Sequence, residues 1–176
     1  LTPEPPRPPE GPLAARDRTA DAAPPPEAAS ALPLHAMPGH LFRRLHQQSA
    51  ALFALHAEGV DLTPVQFAAL HAIGAWPGCD QSTIGRAIAC DKATLGSVLD
   101  RLQAKALVAR EPDPADRRTW RLRATPAGDG LLERLAPAIA RLQDDLVAPL
   151  SQAERRELMR LLHKLVGPLP GPGRSR

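Results

Sequence analysis

The chain has 176 residues, 43% of them apolar, enough to bury the core of one ordinary domain with tails. No apolar run approaches the roughly 20 residues of a membrane span, no h-region marks a secretory segment, and two cysteines, Cys79 and Cys90, are too few for a disulfide framework. A cytoplasmic setting with no membrane contact is therefore expected, and the formal net charge of +3 matters less than its distribution, because residues 80–125 hold nine Lys/Arg against six Asp/Glu.

In chain order, residues 1–33 are dominated by Pro, Ala and Glu without periodicity, so residues 1–37 are expected to form an extended or disordered arm. A helix is predicted from Pro38 to about Glu58. Leu41, Leu45, Leu52 and Leu55 make one stripe and Phe42, His46, Ser49, Phe53 and His56 a second, so it must touch more than one partner. Thr63-Pro64-Val65-Gln66 then reads as an N-cap, a Pro at the first helical position and a capping-box residue, opening a helix to about Ala75. A short helix from Gln81 to Ala89, capped by Asp80 or Ser82, is separated by the break Cys90-Asp91 from a helix beginning at Lys92.

That helix, Lys92 to about Lys105, buries Leu95, Val98, Leu99 and Leu102 at helical period and leaves Lys92, Ser97, Arg101 and Lys105 away from that stripe. Short hydroxyls and long cations on one exposed face suit a DNA major groove, where they reach base edges and phosphates. Two short helices around a tight turn, the second amphipathic and basic, form a helix-turn-helix. Strands at residues 107–111 and 119–123 follow, joined by a loop rich in turn formers that carries Arg117 and Arg118 at its tip. Such a wing can reach the adjacent minor groove.

Thr125-Pro126 opens a long helix to about Ala148 with Leu131, Leu135, Ala138, Ile139, Leu142 and Leu146 as its stripe, and Pro137 is expected to kink it. Ser151-Gln152-Ala153-Glu154 is a capping box for a last helix through Val166, followed by a tail at residues 167–176. These helices carry more apolar face than a small lobe can cover. Residues 38–60 and 126–166 are therefore expected to make a homodimer around a DNA-binding lobe at residues 61–125.

Leu62-Thr63-Pro64-Val65-Gln66-Phe67, Leu99-Asp100-Arg101-Leu102, Leu107-Val108-Ala109-Arg110, Asp113-Pro114-Ala115-Asp116-Arg117-Arg118 and Thr125-Pro126-Ala127-Gly128 stand in order over roughly residues 38–166. With this series the chain resembles the MarR family of winged helix-turn-helix regulators. The resemblance implies a mainly α fold with a small β-hairpin wing, and a dimer that reads an inverted repeat. It also implies repression relieved by a phenol or aromatic acid bound between the dimer helices and the lobe. Carried over by position, it implies that Lys92, Thr94, Ser97 and Arg101 contact bases or phosphates, and that Arg117 and Arg118 serve the wing, one bracing the lobe through Asp91 or Asp116.

For the effector, His40, Arg43, Arg44 and His46 on the first helix and His71 on the second are candidates to hold an anionic aromatic ligand, with Trp76 or Phe67 as an apolar wall. No cofactor is expected. A metal centre is disfavoured because His40 and His46 are six apart and join no Cys or carboxylate cluster. Cys90 stands where a helix dipole can lower a thiol pKa, but a small buried Cys is the better reading. An enzyme is not expected, since the chain has no Gly-rich phosphate loop, Gly-x-Ser-x-Gly elbow or His-Glu-x-x-His. Two alternatives stand beside the main reading: a metal- or redox-responsive regulator of the same fold, and a helical protein–protein adaptor. The adaptor would explain the leucine stripes but not an Arg-tipped hairpin after a cationic helix.

Overall fold

A computed structural model of the chain describes residues 33–114, 119–169 and 171. The chain divides after Met37 into two units. The described part of the first is residues 33–37, with a single 3₁₀ turn at Leu34–Ala36, and the rest of the expected arm lies outside the described residues. The second holds α1 (Pro38–His56), α2 (Pro64–Ala75), α3 (Gln81–Ala87), α4 (Lys92–Ala104), β1 (Val108–Pro112), β2 (Trp120–Ala124), α5 (Pro126–Leu146) and α6 (Gln152–Val166). This is a winged helix-turn-helix, α2 to β2, set between long helices.

Local chemistry starts five of the helices. Thr63 and Gln66 form a reciprocal capping box, Gln66 N donating to Thr63 Oγ1 at 3.3 Å and Thr63 N to Gln66 Oε1 at 3.1 Å. Asp80, Asp91 and Thr125 accept from the third backbone amide of α3, α4 and α5, and Ser151 with Glu154 repeats the box at α6. Each such acceptor satisfies an amide that the helix itself leaves unpaired, a contribution of about 1 kcal/mol.

The core gathers around α2. Ala69, Leu70 and Ile73 are fully buried, and Ile84 of α3, Leu95, Leu99 and Leu102 of α4 and Leu122 of β2 close over them. Burying each such side chain is favourable by about 1.5–3 kcal/mol, so the lobe folds as one packed unit. The wing is antiparallel, Val108 opposite Ala124 at one end and Pro112 opposite Trp120 at the other.

Several boundaries differ from expectation. α3 ends at Ala87, not Ala89, because Ala89 takes a left-handed φ of 52° and Cys90 N turns back to Gly85 O at 2.9 Å. The break before α4 is therefore longer than Cys90-Asp91. Both strands start one residue later than predicted. Leu107 is held in the turn, its amide on Leu102 O at 3.0 Å and its carbonyl accepting from Thr125 N at 3.0 Å. The wing also has a third contributor: Asp80 bridges Arg121, with Gly78 N donating to Leu122 O at 2.8 Å. A single bridge has no hydrophobic alternation, so no pattern announces it.

α5 runs through Pro137 and packs along α1, where His56 Nε2 lies 2.7 Å from Asp145 Oδ2. The outer residues of α1 (Leu41, Phe42, Leu45, Leu55) and of α6 (Met159, Leu161, Leu165, Val166) are exposed, and α6 has no buried residue. No helix is long and apolar enough to cross a membrane among the described residues.

Candidate nucleic-acid interface and adjoining groove

α4 turns Leu95, Val98, Leu99 and Leu102 into the core and leaves Lys92, Thr94, Ser97 and Arg101 exposed. Thr94, Ser97 and Arg101 follow at spacings of three and four, which places them one above another on the helix surface. The Ser97 hydroxyl reaches Ala93 O at 3.5 Å, a weak bond that leaves it available to another acceptor. Asp91 Oδ1 accepts from Thr94 N at 2.9 Å, and hydrogen bonding from Thr94 holds this carboxyl below its ordinary value.

The acids of α4 and of the described wing are each met by a cation. Asp100 Oδ1 accepts from Arg110 Nη2 at 2.7 Å, joining α4 to β1. Asp113 takes two donors from Arg121, at 2.9 and 3.2 Å, and Glu111 takes Arg123 Nε at 3.2 Å. Among the described residues neither Lys92 nor Arg101 has a carboxylate partner.

Lys105 behaves differently from its neighbours on the helix. Its ammonium is engaged by Asp61, at 2.9 Å from Oδ2 and with a bond to the Asp61 carbonyl, so it ties the end of α4 to the loop between α1 and α2. Arg117 and Arg118, with Asp116, lie outside the described residues. The described pairs that brace the wing are Arg121 with Asp113, Arg123 with Glu111 and Arg110 with Asp100, while Asp91 is occupied as a helix cap.

Sequence reasoning missed Arg86. It is exposed on α3, donates to Thr83 Oγ1 at 3.1 Å, and with Ser82, Cys90 and Lys92 lines a cleft of about 480 Å³ between α3 and α4. Its signal was slight, one cation on a seven-residue helix. Burial and the neighbouring Asp91 push the Cys90 thiol up, and burial and Asp80 do the same to Cys79. That direction runs against a dipole-activated thiolate at Cys90.

Behind the lobe, α2 and α5 enclose a groove in two adjoining parts of about 680 and 440 Å³, both lined by Phe67, His71, Ala75 and Ile139. Phe67 stacks at a tilt on buried Phe53, centroids 5.7 Å apart, and on His71 at 5.8 Å. Trp76 walls the smaller part, and Asp129 and Glu133 edge the larger. Of the seven residues proposed for an effector, the structure brings His71, Trp76 and Phe67 together here. His40, Arg43, Arg44 and His46 line neither part, and all but half-buried His40 are exposed on α1. Among the described residues no group of three His, Cys, Asp or Glu side chains is placed to hold a metal ion.

A family model described as MarR family matches residues 60–119. The HTH-type transcriptional repressor NicR of Pseudomonas putida is 33% identical over 128 residues, spanning 73% of this chain and 81% of its own. The chain belongs to the MarR family. MarR-family membership makes it a winged-helix transcription regulator, and two solved structures extend the likeness. BpsR of Bordetella bronchiseptica is 34% identical with a TM-score of 0.71, over 76% of this chain and 95% of its own, and its DNA binding is described as regulated by 6-hydroxynicotinic acid. The transcriptional repressor CouR, bound to a 23-mer DNA duplex, is 28% identical with a TM-score of 0.71, over 76% of this chain and 95% of its own.

Proposed function

We propose that this MarR-family regulator is a cytoplasmic, homodimeric repressor. It holds a pseudo-palindromic operator through α4 and the wing, and it releases the DNA when a small aromatic carboxylate or phenol enters the α2–α5 groove. The observation that carries the reading is the charge arrangement of the lobe: Thr94, Ser97 and Arg101 in one exposed row, Lys92 at the start of the same helix, and the acids of α4 and the described wing neutralised internally. In this reading Lys92 and Arg101 meet phosphates or guanine edges, Thr94 and Ser97 reach base edges, and Arg117 and Arg118 enter the minor groove. Lys105 acts as a brace through Asp61.

The dimer is supported by exposed leucines on α1 and α6, the helices that bury least within the chain. Paired copies place two recognition helices about 34 Å apart, one turn of duplex. The effector class is supported by the groove, whose apolar walls suit a flat ring and whose His71 suits a carboxylate. Such ligands are in keeping with the 6-hydroxynicotinic acid named for BpsR. In a dimer joined through α1, the side chains of His40, Arg43, Arg44 and His46 would come from the mating copy. α2 packs against both α4 and α5, so a ligand that prefers a displaced α2 shifts the lobe to a spacing that no longer fits the groove.

The test is selection of duplexes from a randomised pool, followed by titration of the winner against salt and against a panel of aromatic carboxylates and phenols. A retained inverted repeat, a log–log salt slope of about −0.9 for each phosphate contacted and release by at least one ring acid are expected. Failure to retain any duplex would favour a protein–protein adaptor, and retention with no release by any acid would remove the effector half of the proposal.

A further inference from the structure

Within residues 61–125, Trp120 is the one large hydrophobic side chain left exposed among the described residues, with half of its surface open. In the Pro38–Arg176 unit the other exposed large hydrophobics lie on α1, α6 and just beyond α6, where pairing of copies accounts for them. Pairing does not account for a tryptophan on the wing, and Trp120 lines none of the cavities described above.

Strand register shows what surrounds it. Trp120, Leu122 and Ala124 share one face of β2, opposite Pro112, Arg110 and Val108 of β1. Along that face Leu122 is in the core, Arg110 is pinned to Asp100 of α4, and Pro112 with Trp120 come next, both exposed. The result is an apolar step on the hairpin, next in register to the pair that docks on the recognition helix. The acids of the described hairpin carry an arginine each: Glu111 has Arg123 and Asp113 has Arg121. An indole therefore stands where carboxylates have been neutralised and where the same lobe exposes Lys92 and Arg101, neither with a carboxylate partner among the described residues.

We propose that Trp120 packs on the sugar–phosphate backbone of duplex DNA, its ring face over a deoxyribose and its Nε1–H donated to a phosphate oxygen. This rests on the DNA-binding reading above and deepens it. An indole offers an apolar body with one polar donor, which matches a sugar flanked by phosphate. Stacked bases are a poorer fit, since inserting between them costs several kcal/mol of unstacking. A second copy is a poorer fit as well, because it would bring the same cationic lobe against this one. The contact reads no sequence; it fixes how deeply the wing sits beside α4.

The experiment uses the full chain and a mixed-sequence 30-bp duplex at low salt, a probe suited to a backbone contact. Trp120→Ala should weaken binding about tenfold and Trp120→Phe about threefold, because the second keeps a ring and loses the donor. The slope of log affinity against log salt should not change for either, since no cation has been removed. The emission lost between wild type and Trp120→Phe belongs to Trp120, and its quenching by acrylamide should fall when duplex is added. Wild-type affinity in Trp120→Ala, or quenching indifferent to duplex, overturns the proposal and leaves the DNA-binding reading standing. Protection that grows with protein concentration without DNA assigns Trp120 to a second copy and likewise overturns it. Wild-type protein that binds no duplex removes both.

Discussion

Of the two glycines on α5, Gly128 is the one pressed against the lobe. An added Cβ there would sit 2.3 Å from Leu107 O and 3.2 Å from both Leu107 C and Leu70 Cδ1. Leu107 cannot simply yield, because its carbonyl accepts from Thr125 N at 3.0 Å and the adjacent Ala106 carbonyl accepts from Thr125 Oγ1 at 2.7 Å. Gly128→Ala must therefore lift the first turn of α5 by most of an ångström, with an overpacking cost of about 1–3 kcal/mol plus about 1 kcal/mol for a hydrogen bond stretched or lost. A total near 3 kcal/mol lowers Tm by roughly 9 °C for a chain of this size. Gly130 is the internal control: it lies in the same helix, and its added Cβ meets nothing within 4 Å. Gly130→Ala should gain about 0.5–1 kcal/mol from helix propensity alone and raise Tm by a few degrees. Thermal unfolding followed by far-UV circular dichroism measures both. Equal shifts of the two variants would refute the close approach of α5 to Leu107 and the steric reasoning built on it.

Arg101→Ala should weaken duplex binding and reduce the salt slope by about 0.9 with helical signal intact, whereas Lys105→Met should leave the slope unchanged, because its ammonium is occupied by Asp61. Anisotropy titrations at several salt concentrations separate the two. Ala89 holds a left-handed φ of 52°, so Ala89→Gly should stabilise the helix-turn-helix by about 0.5–1 kcal/mol, seen as a shift in urea midpoint at constant slope. The Asp91 carboxyl titrates below its ordinary value in the folded chain, so its contribution is complete above the unfolded value near pH 4 and is lost as pH falls through the folded value. In Asp91→Asn, which keeps an N-cap acceptor but cannot titrate, the acid-side decline in stability should be shallower; identical profiles would show that Asp91 contributes nothing through its charge.

Much of the fold was legible because its signals are local. Thr63-Pro64 with Gln66, Asp91, Thr125-Pro126 and Ser151 with Glu154 mark helix starts through bonds spanning three residues, and the leucine stripes need only the helical period. The features that escaped connect residues far apart in the chain. The Asp61–Lys105 and His56–Asp145 contacts span 44 and 89 residues, and the Gly78–Asp80 edge joins the wing only once β2 lies beside it. The same limit divides the candidate site. Exposure of Lys92, Ser97 and Arg101 followed from periodicity within α4 and the family resemblance added Thr94, but the engagement of Lys105 depended on a loop that periodicity does not place. His71 and Trp76 met in the groove because both belong to the α2 segment, whereas no pattern in one chain could say what the α1 cations face.

The ion pairs of the lobe invite an explanation by stability, and their magnitudes argue against it. Asp100–Arg110 and Glu111–Arg123 each have an exposed carboxylate, and pairs of that kind contribute about 0–1 kcal/mol. Their electrostatic effect on a polyanion is larger than their effect on folding. An unpaired carboxylate on α4 or the wing would stand within the screening length of about 8 Å from any phosphate the helix reaches, and its repulsion would cancel a neighbouring lysine or arginine. Pairing each acid with an arginine from an adjacent element removes that repulsion and, in the same contact, fixes β1 to α4 and β1 to β2. What then remains uncompensated on the described surface of α4 is Lys92 and Arg101, with the Asp91 carboxylate turned to capping the helix, so a chain whose formal charge is only +3 can concentrate positive charge on this helix. Distribution, and not net charge, makes the surface suited to a duplex.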